Sequence, residues 1–201
     1  FFVDNEGNII RQEIIRGIMA QIALKENPSA TVGYDIRPGK ITLDMILQAG
    51  GKPLVTRVGH SLIKEAMIKN GAIFGGESSG HYFYKFSYGT FEAPFAFVLK
   101  FLEYISAKNK PVSEIVAPLK KYFHSGEINS LVTDKAGKIK ELAEKYEDAK
   151  NISYLDGITI EYDNYWFNVR PSNTENKLRL NLEAIDSNTM ETKRDEVLSL
   201  I

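Results

Sequence analysis

The sequence predicts an α/β domain with a mixed sheet covered by helices, followed by a smaller α+β domain with an antiparallel sheet. Three observations predict this. Short apolar runs alternate with amphipathic helical patterns over residues 11–106, the arrangement that gives a partly parallel sheet with helices on its faces. After about residue 110 the order becomes strand, helix, several strands, helix. Within that second stretch, Asp156-Gly157 and Asp163-Asn164 punctuate β-rich runs as hairpin turns do.

The elements follow in order. Phe1-Phe2-Val3-Asp4 reads as strand, and Asn5-Glu6-Gly7-Asn8 as a turn. Residues 11–25 read as a helix whose Ile14, Ile18 and Ile22, beside Ile15 and Met19, form an apolar stripe. Asn27-Pro28 stops it. Residues 31–36 read as a short strand before the turn Arg37-Pro38-Gly39, and 41–49 as a helix ended by Gly50-Gly51. Strand 54–58, helix 61–69 closed by Asn70-Gly71, and strand 72–74 come next. Residues 94–106 read as a helix with Pro in its first turn, and Phe95, Val98, Leu99, Leu102 and Ile105 as its expected buried face. Farther on, Asp134 is placed to cap a helix with Ile139, Leu142, Ala143 and Tyr146 on one face. Residues 151–155, 158–162, 166–169 and 178–184 are strand-like, and a last helix is expected from near Asn188, with Glu191 placed for a capping box. The resulting expectation is a tail of a preceding domain at 1–10, a first domain at 11–117, a connector at 118–125 and a second domain at 126–201.

Composition excludes several classes of function. The 201 residues hold one large domain or two small ones, and 43% apolar content is enough for real cores. Net charge is −1, with acids and bases interspersed, so no nucleic-acid footprint is visible. No apolar run approaches the ~20 residues of a membrane helix, and the N-terminus lacks a signal-peptide pattern. With no cysteine, disulfides, thiolate catalysis and thiolate zinc sites are excluded. This fits a cytoplasmic protein. The three histidines are far apart in sequence, which argues against a histidine-based metal site.

Two polar loops concentrate the chemistry. Gly75-Gly76-Glu77-Ser78-Ser79-Gly80-His81 packs a carboxylate, two hydroxyls and an imidazole between glycines that let the backbone turn near a ligand. Glu77 accepts hydrogen bonds while Ser79 donates and accepts, which suits vicinal sugar hydroxyls. His81 can carry a proton near neutral pH. The ordinary alternative is a polar turn after Ala72-Ile73-Phe74. The second loop, Arg170-Pro171-Ser172-Asn173-Thr174, has phosphate chemistry. Arg170 offers a planar fork for two oxygens, and Ser172, Asn173 and Thr174 offer side-chain donors and backbone N–H groups. Ser, Asn, Thr and Pro also favour ordinary turns. A sugar loop and a phosphate loop together suggest a sugar phosphate. Arg37 and Arg57 lie at strand ends, where ligands collect in α/β sheets. His60 follows Gly59 at a helix start, where it is a candidate for a substrate hydroxyl or phosphate. His124 receives no role.

These motifs carry a family resemblance. Gly-Glu-Ser-Ser-Gly-His at 76–81 resembles the sugar-binding loop of the α-D-phosphohexomutases. Arg-Pro-Ser-Asn-Thr-Glu from 170, with the alternating strand 178–184, resembles their C-terminal phosphate loop, and Thr56-Arg57-Val58-Gly59-His60-Ser61 a third active-site segment. The resemblance implies domains 3 and 4 of a phosphomannomutase/phosphoglucomutase-type enzyme that interconverts hexose 1- and 6-phosphates. The route implied is a phosphoserine and a hexose 1,6-bisphosphate, with Mg²⁺ held by an aspartate loop. It further implies Glu77 and Ser79 on neighbouring ring hydroxyls and His81 as general acid–base. The phosphoserine and aspartate loops belong to N-terminal domains, and no such stretches occur here, so no metal ligand is assigned and the chain alone is expected not to turn over. One departure is Phe91-Glu92-Ala93-Pro94 where many members carry Asp-Gly. Ser78 stands where phosphoglucosamine mutases tend to have Gln, which tilts the reading toward glucose or mannose phosphates. Alternatives are a glucosamine- or N-acetylglucosamine-phosphate mutase, or a non-catalytic sugar-phosphate binding module.

Overall fold

The computed structural model describes residues 1–37, 39–172 and 174–201, arranged as two units, 1–121 and 122–201. The first contains α1 (Gln12–Glu26), β1 (Thr31–Asp35), α2 (Lys40–Gln48), β2 (Lys52–Thr56), α3 (His60–Asn70) and β3 (Phe74–Gly76). These are followed by β4 (Tyr82–Phe86), β5 (Gly89–Glu92), α4 (Pro94–Ala107) and the short α5 (Val112–Val116). The sheet order is β2-β1-β3-β4-β5. β1 runs parallel to β2 and β3, whereas β3-β4 and β4-β5 are antiparallel. The sheet is therefore mixed, as the alternating pattern predicts. The parallel part comes from the helical crossovers; the antiparallel part is a hairpin of aromatic-rich strands.

Packing follows the apolar stripes. Ile14, Ile15, Ile18 and Met19 of α1 are fully buried, along with Ile41 and Ile46 of α2. One expectation fails. The inward face of α4 is Phe97 and Phe101, while Phe95, Val98, Leu99 and Leu102 are exposed and Ile105 is half-buried. Apart from Lys100 and Glu103 this helix is almost wholly apolar, so periodicity alone does not single out the buried face. Aromatic partners do. Phe97 stacks on Tyr82 at 3.8 Å between ring centroids, and Phe2 meets Phe101 edge-on at 4.9 Å.

The second unit consists of β6 (Phe123–Leu131), α6 (Lys135–Lys145), β7 (Asn151–Ser153), β8 (Ile158–Glu161), β9 (Tyr165–Pro171), β10 (Lys177–Ala184) and α7 (Ser187–Leu200). Its antiparallel sheet has the order β6-β10-β9-β8-β7. β6 starts at Phe123, ahead of the expected Gly126. That glycine, at φ +70°, lies in the strand where the register to β10 shifts, a β-bulge. Asp134 caps α6 as expected, accepting from Gly137 N at 2.8 Å. The cap of α7 differs from the expectation: Asp186 accepts from Thr189 N at 2.8 Å, and Glu191 instead receives the Ser187 hydroxyl at 3.0 Å. The core gathers Leu142, Ile158, Ile160, Phe167, Val169, Leu178, Leu180, Leu182 and Val197.

Candidate functional site

In the first unit the site is built at the C-terminal ends of β1, β2 and β3. Asp35 ends β1 completely buried and faces two guanidinium groups. Arg16 of α1, 1% exposed, donates from Nη1 to Asp35 Oδ1 at 3.0 Å and to Ser78 Oγ at 2.7 Å. Arg37 donates from Nε to Asp35 Oδ2 at 2.9 Å, and its Nη2 bonds the same oxygen. Ser78 completes the ring: its N–H donates to Oδ2 and its hydroxyl to Oδ1, each at 2.9 Å. Burial acts to raise the Asp35 carboxyl, but the charges of Arg16 and Arg37 outweigh it and hold the group below its ordinary 3.8. The sugar-type loop is thus anchored through Ser78 to a charged network beneath it.

Glu77 is 2% exposed. Its Oε1 accepts from Gly59 N at 3.0 Å, and Arg37 Nη2 stands 3.9 Å away. The fold therefore brings Glu77, Arg37 and the Gly59-His60 turn together. Ser79 and Arg57 are exposed. His60 opens α3 and His81 precedes β4, yet their rings lie 5.4 Å apart in edge contact. Glu92 of β5 joins them, with Oε2 3.0 Å from His60 Nε2 and Oε1 2.8 Å from His81 Nδ1. The hydrogen bond from His81 is the main reason the Glu92 carboxyl lies below its ordinary value; burial opposes it, and His60 adds to the lowering. Two of the three histidines are neighbours in space, so distance along the chain was no guide to their separation.

The phosphate-type loop joins β9 to β10 in the second unit. Arg170 and Arg179 pair across these strands. Glu127 of β6 accepts from Arg170 Nη2 at 2.8 Å and Arg179 Nη1 at 3.3 Å. Burial acts to raise the Glu127 carboxyl, and the hydrogen bond and charge of Arg170 overcome it, leaving the group lowered. Lys135, at the start of α6, donates to the carbonyls of Ser172 and Glu175, both at 3.1 Å. Ser172 is buried and Thr174 exposed. Asn173 lies outside the described residues, as does Pro38 of the expected Arg37 turn. Three cations, Arg170, Lys177 and Arg179, stand against the carboxylates of Glu127 and Glu175, and Lys135 adds a fourth positive charge on the loop's carbonyls. Reading the loop alone finds Arg170 as its single charge; strand pairing and the α6 start supply the rest.

Sequence reasoning missed Arg16, Asp35, Glu92, Glu127, Lys135 and Arg179. For Arg16 a signal existed: a charge set among Ile14, Ile15 and Ile18 on a buried helix. For Glu127 and Lys135 no local signal does, because their relation to the loop is made by sheet order and by where α6 begins.

Comparison with known proteins decides the family. Residues 12–122 match the model of the phosphoglucomutase/phosphomannomutase alpha/beta/alpha domain III, and residues 127–200 that of the phosphoglucomutase/phosphomannomutase C-terminal domain. The chain belongs to the phosphoglucomutase/phosphomannomutase family. It is 43% identical over 199 residues to a phosphomannomutase of Methanocaldococcus jannaschii, covering 99% of this chain and 44% of that protein. An Escherichia coli phosphomannomutase is 36% identical across 100% of the chain and 44% of its own length. A phosphoglucomutase/phosphomannomutase family protein from Burkholderia thailandensis superposes with a TM-score of 0.85 at 28% identity, covering 98% of this chain and 43% of that one. The chain spans under half the length of the curated relatives it matches. No helix of the described residues is long and apolar enough to cross a membrane.

Proposed function

We propose that this chain is the sugar- and phosphate-binding part of a phosphomannomutase/phosphoglucomutase that interconverts hexose 1-phosphate and hexose 6-phosphate in the cytoplasm. One observation carries the reading: Glu77 is buried in the loop, held by Gly59 N and flanked by Arg37. A carboxylate so fixed keeps acceptor lone pairs in one direction, which sugar hydroxyls need. Glu77 and the exposed Ser79 read two neighbouring ring hydroxyls. His81, oriented by Glu92, moves the proton of the reacting hydroxyl. Arg57 and His60 hold substrate beside them. Arg170, Ser172, Asn173 and Thr174, with Arg179 behind them, grip the phosphate that is not transferred.

The phosphoryl group itself comes from a phosphoserine on N-terminal domains outside this chain, through a hexose 1,6-bisphosphate. Mg²⁺ on those domains supplies charge stabilisation at the moving group. This chain's own residues do not fit Mg²⁺. Among the described residues, the one cluster of three candidate ligands is His60, His81 and Glu92, and Mg²⁺ prefers an all-oxygen octahedron.

Titration of hexose phosphates and of inorganic phosphate into chelator-treated protein tests the reading. Arg170→Ala is expected to weaken both classes by roughly tenfold to a hundredfold, since charge-assisted bonds contribute about 1.5–3 kcal/mol. Glu77→Gln is expected to weaken hexose phosphates and spare inorganic phosphate. Equal loss for both ligands in Glu77→Gln would overturn the division into sugar and phosphate loops.

A further inference from the structure

Beyond that reading, we infer that His60, His81 and Glu92 form a binding site for a borderline divalent transition cation of the Zn²⁺ class. The three side chains come from three elements, the start of α3, the residue before β4 and the end of β5. Their positions are fixed by the sheet. Phe83 of β4 pairs directly with Glu92 of β5, and the same Phe83 ring backs His60 at 4.8 Å. Each oxygen of one carboxylate faces one imidazole nitrogen, at 3.0 Å and 2.8 Å. All three ligand atoms lie within 4.8 Å of one another.

Two imidazole nitrogens and one carboxylate oxygen are the donor set of an open zinc site, in which water fills the fourth position. Bonds of about 2.0–2.2 Å place tetrahedral ligands roughly 3.3 Å apart. The cluster must close by up to about 1.5 Å, and all three side chains are solvent-accessible. A cation entering here replaces two hydrogen bonds with three coordinate bonds and displaces the shared protons to solvent. Imidazole selects against hard cations, so Mg²⁺ and Ca²⁺ are not expected to compete. The consequence for the proposed function is inhibitory: both imidazoles would be withdrawn from the sugar face.

Calorimetric titration of Zn²⁺ alone into chelator-treated protein is the test, with Co²⁺ absorption as a second readout. One equivalent is expected to bind, giving the intense visible bands of tetrahedral Co²⁺. His60→Ala, His81→Ala and Glu92→Gln are each expected to weaken binding about tenfold or more, whereas His124→Ala, removing the remaining histidine, leaves it unchanged. Because His60, His81 and Glu92 are exposed, thermal melts of their variants are expected to match the parent. A hydrogen-bonded triad without ion affinity would show no stoichiometric uptake, and that result overturns the inference. So would uptake that persists in the His60→Ala/His81→Ala double variant. Neither failure touches the sugar-phosphate titrations, which contain no transition metal, and failure of those titrations leaves the metal result standing.

Discussion

Asp35 shows what a single residue does in this fold. Its two oxygens serve Arg16, Arg37 and Ser78, so helix α1, the turn after β1 and the sugar-type loop share one anchor. Asp35→Asn keeps the shape and removes the charge, leaving the buried Arg16 without its carboxylate. Breaking a buried pair in this way costs about 3–5 kcal/mol, and urea unfolding of the first unit should show it. The acid limb carries the same information. The folded Asp35 carboxyl titrates below its ordinary 3.8, so its contribution is fully present above that value and is lost as pH falls through the folded value. In the parent, stability should therefore decline with acidification below pH about 4, and Asp35→Asn should flatten this part of the decline. An unchanged acid limb in the variant would remove Asp35 from the account. Glu127 has the same sign in the second unit, since its carboxyl is also lowered.

At the scale of elements, α4 and the β7-β8 turn make contrasting cases. Phe97 is buried against Tyr82, whereas Phe95 and Leu99 on the same helix face outward. Phe97→Ala is expected to lower stability by about 3–5 kcal/mol, and Leu99→Lys to stay within about 0.5 kcal/mol, both by thermal or urea unfolding of this chain. The existence of the helix was legible from its Pro start and apolar content. Its orientation was not, because the choice of face rests on Phe2 and Tyr82, residues distant in sequence. The β4-β5 hairpin lies outside the expected strands although Tyr82-Phe83-Tyr84 is a strong strand signal, because it follows directly on the Gly-rich loop 75–81. The Asp156-Gly157 turn, by contrast, was legible at once. Gly157 adopts φ +70°, and a Cβ there would stand 2.2 Å from the Val169 carbonyl oxygen. Gly157→Ala is thus expected to destabilise the second unit by about 1–3 kcal/mol, measurable as a lower melting temperature.

For the molecule as a whole, the change of pattern after residue 110 and the two bodies of the structure concern the same physical question: how many cores the chain has. The loop motifs were legible because a phosphate or sugar site needs particular residue types in a short span. Glu127, Lys135 and Arg179 were not, since the order β6-β10-β9 and the start of α6 after β6 place them beside the loop from three separate elements. The second unit, 122–201, closes its sheet over a core running from Leu142 to Val197. Among the residues of the phosphate-type loop network, Glu127, Lys135, Arg170, Ser172 and Arg179 all fall within it. If that core suffices, the unit is a folding unit in its own right and keeps its ligand chemistry. Lys120 and Lys121 are exposed at the boundary, so brief trypsin treatment should cut there before elsewhere. The 122–201 piece, produced alone, should melt cooperatively, as single domains of this size do. It should bind inorganic phosphate with the affinity of the whole chain and should not distinguish hexose phosphates by their ring hydroxyls, because Glu77 and Ser79 lie in the other unit. A piece that is unfolded by circular dichroism would show that the second core depends on the first. A folded piece that still discriminates between hexose phosphates would place sugar recognition in the C-terminal unit, against the division of labour proposed for the two loops.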